Sequence, residues 1–483
     1  MTTCQGTPLW QKIDACPDLL SIHSSKPDRY PFLLESTLQG AGSSAGQSRY
    51  DILFAFPEGR LVLEASGYLT RDGRRIPGGD FLHELDAWAD DIAAPGAATM
   101  RSSPLEIPFR GGWFLYFGYE LAGEIEPVLH SHLTENLRNH ADSIEAEFPI
   151  AAAWRVPAAI IRDKQRRETI LVVEPSHAAR MADLKTDLLS AKSIAESPSL
   201  RATDAPRAAL PWARLREDPA EEFLERVARI KHYIREGDVF QVNLSRAWRG
   251  RLPTDIPSAR IYHRLRQRNP AAFAGLAVWD DLAIVSSSPE RLVRIHDGMV
   301  ETRPIAGTHP RHRDLATDRG LSEALMAHPK ERAEHIMLID LERNDLGRVC
   351  QPGSVRVDEL MVLESYAHVH HIVSNIRGRL LSEATPGRVL RAVFPGGTIT
   401  GCPKVRCMEI IAELEQAPRG PYTGAMGYLN RDGDADLNIL IRTLCRQGDR
   451  LSLRAGAGIV ADSQPERELK ETRHKARGPL NAL

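Results

Sequence analysis

Apolar positions in the first third of the chain come in short runs separated by turn residues. "YDILFAF" is followed by Pro57-Glu58-Gly59 and "RLVLEASGYL" by "RDGRRIPGG"; "GGWFLYFGYEL" and "ETILVVE" complete the series between about residues 48 and 175. Runs of this length, rich in β-branched and aromatic residues and bounded by Gly, Pro and Asp, predict strands. The spacing changes at Phe223, Val227, Ile230 and Ile234, which recur at +4, +3 and +4 and stop before Gly237. That is the period of an amphipathic helix ending at a glycine. Further strand-like runs follow ("VFQVNLSRAW", "LAIVSSS", "LVRI", "MVETRPI"). After them come a helical stretch from about Ala327 to Asn344, a hairpin turning at Asp432-Gly433, and a terminal helix beginning near Ser463. There is no regular βαβ rhythm and no repeat of fixed period, so the class is α+β. Between residues 176 and 218 the sequence becomes one Leu-poor helical segment and a Ser/Ala/Pro stretch. This divides the chain into a β-rich region 1–175, a linker 176–218 and a larger part 219–483.

Composition narrows the class. With 42% hydrophobic and 26% charged residues, the 483-residue chain can bury a large core and is not of disordered type. Lys+Arg 62 against Asp+Glu 64 leaves a formal net charge of -2, so no global field draws nucleic acid. Cys4, Cys16, Cys350, Cys402, Cys407 and Cys445 form no CxxC pair and read as reduced thiols. The N-terminus lacks a basic segment followed by an apolar run. The most apolar window, "AAAWRVPAAII", is broken by Arg155 and Pro157 and is too short to span a bilayer. The expectation is a soluble cytoplasmic protein.

Several local patterns can carry chemistry. Glu331 and Glu334 in "KERAEHIMLIDL", and Glu468 and Glu471 in "SQPERELKETRHK", each share a helix face. Four carboxylates on two helices suit an octahedral Mg²⁺ site, directly or through water. The same residues also read as a Glu471/Lys475 salt bridge and a Ser463…Glu466 capping box. In "FPGGTITGCPKVRCMEII", Gly396, Gly397 and Gly401 allow backbone N–H groups close to an anion, with Lys404 and Arg406 adding charge. An ordinary loop leading into a helix fits that stretch equally. "RAGAGIVADSQ" sets Gly456 and Gly458 where a carboxylate or a β-bulge is accommodated. "HVHHIV" holds His368, His370 and His371 without the carboxylate or thiol a zinc site needs. One buried histidine polarising a hydroxyl is expected there, with the other two solvated. Glu290 follows the polar run Ser286–Ser288 at a strand end.

Taken in order, "GDVFQVNLSR", "SSSPERLV", "RPIAGT", "KERAEHIMLIDLERNDLGRV", "VHHIVS", "FPGGTITGCPKVR", "LNILIRTL" and "GAGIVADSQPERELKET" resemble the chorismate-utilising enzymes over about residues 222–478. That family includes anthranilate, aminodeoxychorismate, isochorismate and salicylate synthases. The resemblance implies a mixed β-sandwich flanked by helices. It also implies Mg²⁺ held by Glu334 and Glu471, with Glu331 and Glu468 on metal-bound water. By the same resemblance Gly456 and Gly458, together with Gly397 and Thr398, approach the substrate. Arg442 and Tyr428 hold its enolpyruvyl carboxylate, and Lys475 lies nearby. Glu290 becomes the acid that protonates the departing C4 hydroxyl, and His371 stands beside that hydroxyl. "RYPFLLES" resembles the neighbourhood that lines a tryptophan feedback site in anthranilate synthases, which makes it a candidate effector region.

Two positions bear on the nucleophile. Relatives that add water carry lysine where this chain has Gln241; an amide cannot act as a base, so the nucleophile is read as ammonia. The chain has no GxCxG nucleophile elbow, which implies a separate glutamine amidotransferase partner. At Ala306, aminodeoxychorismate synthases typically carry a lysine that attacks C2, whereas anthranilate synthases carry alanine. The longer stretches "QVNLS", "LERND", "VHHIVS", "FPGGTITG" and "LNILIRTL" are nevertheless closer to the aminodeoxychorismate branch, and that branch is the expectation.

Overall fold

The computed structural model describes residues 7–38, 49–92, 107–191, 215–312, 314–365 and 369–483. Two antiparallel sheets, each of twelve strands among these residues, form the body of the molecule. They pack face to face, with Phe32 of one stacked on Phe114 of the other at 4.0 Å between ring centroids. Side-chain alternation explains the continuous apolar runs. In the first sheet Phe32, Ile52 and Phe54 enter the inter-sheet core, while Leu33, Leu53 and Ala55 face a helix-covered core. In the second, Phe114 and Tyr116 point inward, while Trp113, Leu115 and Phe117 pack under the helices Phe81–Ile92 and Pro386–Val393. In these central strands both faces are buried, so both sets of alternate positions are apolar. No described helix is long and apolar enough to cross a membrane.

The division at 176–218 follows composition, not hydrogen bonding. Phe32–Glu35 pairs with Phe273–Trp279 in the first sheet, and Gly112–Phe117 with Ala425–Asn430 in the second. Strands from both sides of the linker therefore complete both sheets. Within the linker Arg180–Leu189 is helical, and residues 192–214 lie outside the described residues. The amphipathic helix spans Ala220–Glu236 and buries Phe223, Val227 and Ile230; Gly237 ends it with φ +86°. The helix expected from Ala327 is Pro329–Gly347, capped by His328, and a second helix, Leu315–Ala327, precedes it. The hairpin at Asp432-Gly433 joins Ala425–Asn430 to Ala435–Ile439. The terminal helix, Pro465–Leu480, takes Gln464 as its N-cap. Ser463 instead accepts from Val460 N–H, so the expected capping box does not form.

Under the strand Gln241–Arg251 lies a buried ionic knot. Glu415 accepts from Arg419 at 2.7 Å, from Arg454 at 2.9 Å, and from both the backbone N–H and hydroxyl of Ser245. Burial opposes its ionisation, but the two guanidiniums prevail and hold the carboxyl down to about 2. Removing one member of a buried ion pair leaves uncompensated charge, typically costing ~3–5 kcal/mol. Glu415→Ala is therefore expected to lower the denaturation midpoint by a corresponding amount at neutral pH, measured by chemical unfolding.

Candidate active site

A cavity of about 850 Å³ opens where the two sheets meet the helices Pro329–Gly347 and Pro465–Leu480. Gln241, Glu290, Ala306, Glu331, Glu334, His371, Thr398, Arg442, Gly456, Gly458, Glu468, Glu471 and Lys475 all line it. The local reasons differ. Glu331 and Glu334 project from the first turns of one helix, and Glu468, Glu471 and Lys475 from one side of the other. Gly456 and Gly458 lie on Arg450–Ile459, which pairs with Gln241–Arg251 in unbroken register, so no bulge forms there. A Cβ at Gly458 would stand 2.5 Å from Gln241 Nε2, and one at Gly456 would stand 2.6 Å from Asn243 Oδ1. The glycines make room for those two amides.

Ala306 sits in the strand Ile305–Pro310, which pairs with Val369–Arg379. The register shifts between Ala306 and Thr308, and Gly307 takes φ +65° at that point. This bulge turns Ala306, 6% exposed, into the cavity wall. Arg442, a non-glycine residue with φ +52°, is held in a conformation that costs backbone energy.

The electrostatics separate an acid from a neutral base. Burial pushes the Glu290 carboxyl up to about 7, partly offset by the Thr398 hydroxyl, Lys475, the Ile305 N–H and Arg442. Burial, with nearby Arg442, pulls the His371 imidazole down to about 4, so it is neutral at physiological pH. Partial desolvation at the cavity opposes charge on Lys475, whose side chain is 41% exposed, and Glu471 at 2.7 Å prevails, raising its pKa and keeping it charged. The salt-bridge reading of that pair and its place in the cavity are thus both realised.

The four glutamates offer an all-oxygen donor set, which suits a hard cation such as Mg²⁺. They ring the cavity rather than converge: among the described residues no three His, Cys, Asp or Glu groups stand together as ion ligands. Glu331 approaches the bulge at Gly307, while Glu334 lies toward Gly458.

Several expected positions differ. Tyr428 does not join Arg442; it lines a separate cavity of about 100 Å³ with Glu35, Ser36 and Asp436. Its strand register turns it toward the inter-sheet core, against Phe54 and Phe109. Tyr422 supplies the tyrosine in the large cavity. Gly397 is a packing glycine, since a Cβ there would stand 2.5 Å from Leu341 Cδ2. The positive charges beside it are engaged, Lys404 with Asp345 and Arg406 with Asp238 and Glu409. His370 is buried, not solvated, between Ser365 and Asp318. His368 lies outside the described residues. Asn243, Tyr422 and Arg454 also line the cavity without having been singled out. For Asn243 a signal existed, because it is two residues from Gln241 on one strand face. Tyr422 and Arg454 had none.

Residues 70–481 match the model of the chorismate binding enzyme family. An anthranilate synthase component I-like protein of Synechocystis sp. is 40% identical, covering 83% of this chain and 78% of that protein. Aminodeoxychorismate synthase component 1 of Klebsiella aerogenes is 35% identical, covering 97% of each. The crystal structure of anthranilate synthase component I from Streptococcus pneumoniae superposes with a TM-score of 0.71 at 30% identity, covering 92% of this chain and 94% of that one. The chain belongs to the chorismate binding enzymes, and its two large antiparallel sheets are the fold of that structure.

Proposed function

We propose that this chain is the chorismate-aminating component of an aminodeoxychorismate synthase, forming 4-amino-4-deoxychorismate with ammonia from a glutamine amidotransferase subunit. The observation that carries amination is Gln241, an amide in the cavity wall where water-adding relatives have a basic lysine. Relatives named for anthranilate and for aminodeoxychorismate formation match at overlapping identity, so the branch is argued from the site. Two residues of the branch-flavoured stretches are placed at it: Asn243 of "QVNLS" lines the cavity, and Glu342 of "LERND" is buried within electrostatic reach of Glu290. Relatives named "component 1" support the existence of a partner subunit.

Arg442 and Lys475 bind the substrate carboxylates, and a guanidinium suits that task geometrically. Glu331, Glu334, Glu468 and Glu471 would hold Mg²⁺, which when bound neutralises carboxylate charge on the substrate. With no lysine at Ala306, ammonia forms the bond to C2 while Glu290 gives its proton to the departing C4 hydroxyl, which leaves as water. A second ammonia then bonds to C4 as the C2–N bond breaks, releasing the first as ammonia, and the new C4 ammonium returns a proton to Glu290. The net change is chorismate plus ammonia to aminodeoxychorismate plus water. Neutral His371 accepts a hydrogen bond from the C4 hydroxyl and orients it.

Ala306 favours a second reading, anthranilate formation with loss of pyruvate, in which the first amination at C2 is also the last. The purified chain with chorismate, Mg²⁺ and ammonium at alkaline pH is expected to yield aminodeoxychorismate by mass, and glutamine alone is expected to yield nothing. Fluorescent anthranilate with pyruvate would reverse the branch, and turnover with glutamine would reveal a glutaminase site in this chain.

A further inference from the structure

Residues 241, 243 and 245 share one face of the strand Gln241–Arg251. Ser245 is occupied by Glu415 and Arg454. Gln241 and Asn243, 3% and 8% exposed, line the large cavity, and the side-chain oxygen of each is buried with no hydrogen-bond partner. Orphaned buried acceptors are uncommon because they destabilise the fold, so a pair in one cavity points to a donor supplied from outside.

The chemistry of the donor follows from what the substrate lacks. Chorismate presents ionised carboxylates and an ether oxygen, all acceptors, and a single hydroxyl as donor. Its acceptors are matched by Arg442 and Lys475, and its hydroxyl lies with Glu290 and His371 in the reading above. Nothing in chorismate remains to satisfy two amide oxygens. Ammonia does: it has three N–H donors and one lone pair, and bonding its hydrogens to fixed acceptors leaves the lone pair free to attack.

We infer that Asn243 is a positioning residue for the nucleophile, its amide oxygen forming with that of Gln241 a two-acceptor seat for ammonia. The seat is rigid. Asn243 pairs with Gly458 across the sheet, and its oxygen fills the space left by the missing side chain of Gly456, beside the Tyr422 hydroxyl. The inference rests on the amination reading but not on which product is released.

Steady-state kinetics of the full chain with ammonium chloride and chorismate test it, each substrate varied in turn. Asn243→Leu keeps the shape and removes the acceptor; it is expected to raise the ammonia KM about tenfold, as for one lost hydrogen bond, while the chorismate KM stays within about twofold. Asn243→Asp keeps an acceptor oxygen and is expected to restore most of the ammonia KM. An unchanged ammonia KM in Asn243→Leu, or an equal rise in both KM values, would overturn the inference. Absence of ammonia-dependent product from the unmodified chain would instead sink the amination reading, and this inference with it.

Discussion

Glu290→Gln is expected to lower kcat by about 10²–10⁴-fold, the usual contribution of a positioned general acid, with little change in chorismate KM. The amide keeps the shape and the neutral state of the acid but has no transferable proton. A pH profile gives the assignment a second test. The group acts protonated, and burial places its transition at about 7, so kcat of the unmodified enzyme should fall as pH rises through that value. The profile must be taken at constant free ammonia, since raising pH also converts ammonium to the nucleophile. In Glu290→Gln that limb should be absent. Stability should move the other way. A carboxyl whose folded pKa is raised favours the fold below its unfolded value and loses that contribution as pH climbs through the folded one. Glu290→Gln should therefore melt higher than the unmodified protein at pH 8. An unaltered kcat profile in the variant would remove Glu290 from the acid role.

Ala306→Lys is expected to convert the first amination step into a covalent one. The lysine amine would bond to C2 while the C4 hydroxyl leaves as water, so intact-protein mass spectrometry should show an adduct of chorismate less water. The unmodified chain should show none. Ala306 is buried in the cavity wall at a bulge, so a longer side chain there has only the cavity to extend into. In a pocket suited to amination at C4, the variant stays active, because ammonia still reaches C4 and expels the lysine. In an anthranilate pocket the same side chain occupies the nucleophile's path, and anthranilate output collapses without a productive adduct. Product analysis beside the mass measurement therefore distinguishes the two branches.

Much of this was legible in the residue order. Short apolar runs between turn residues mark strands because a strand buries every second side chain, and here both sets are buried. The Phe223 to Ile234 spacing marks a helix because 3.6 residues make a turn. Glu331 with Glu334, and Glu468 with Glu471, are recognisable pairs because i and i+3 share a helix face. What residue order does not encode is which faces meet. Tyr428 lies fourteen positions before Arg442 and looks equally available to the substrate, yet its strand turns it into the inter-sheet core, and Tyr422 occupies the cavity instead. Composition separates residues 1–175 from 219–483, but backbone hydrogen bonds join strands from both into both sheets, because an exposed sheet edge is satisfied by any strand, however distant in sequence. The glycines of "FPGG" and "GAG" look alike as text. Packing makes Gly397 a contact for Leu341, while pairing across a sheet makes Gly456 and Gly458 the space into which Asn243 and Gln241 fit. The types of group available for the chemistry are set by the sequence; their distances, their burial and the orphaned oxygens come from contacts between segments hundreds of residues apart.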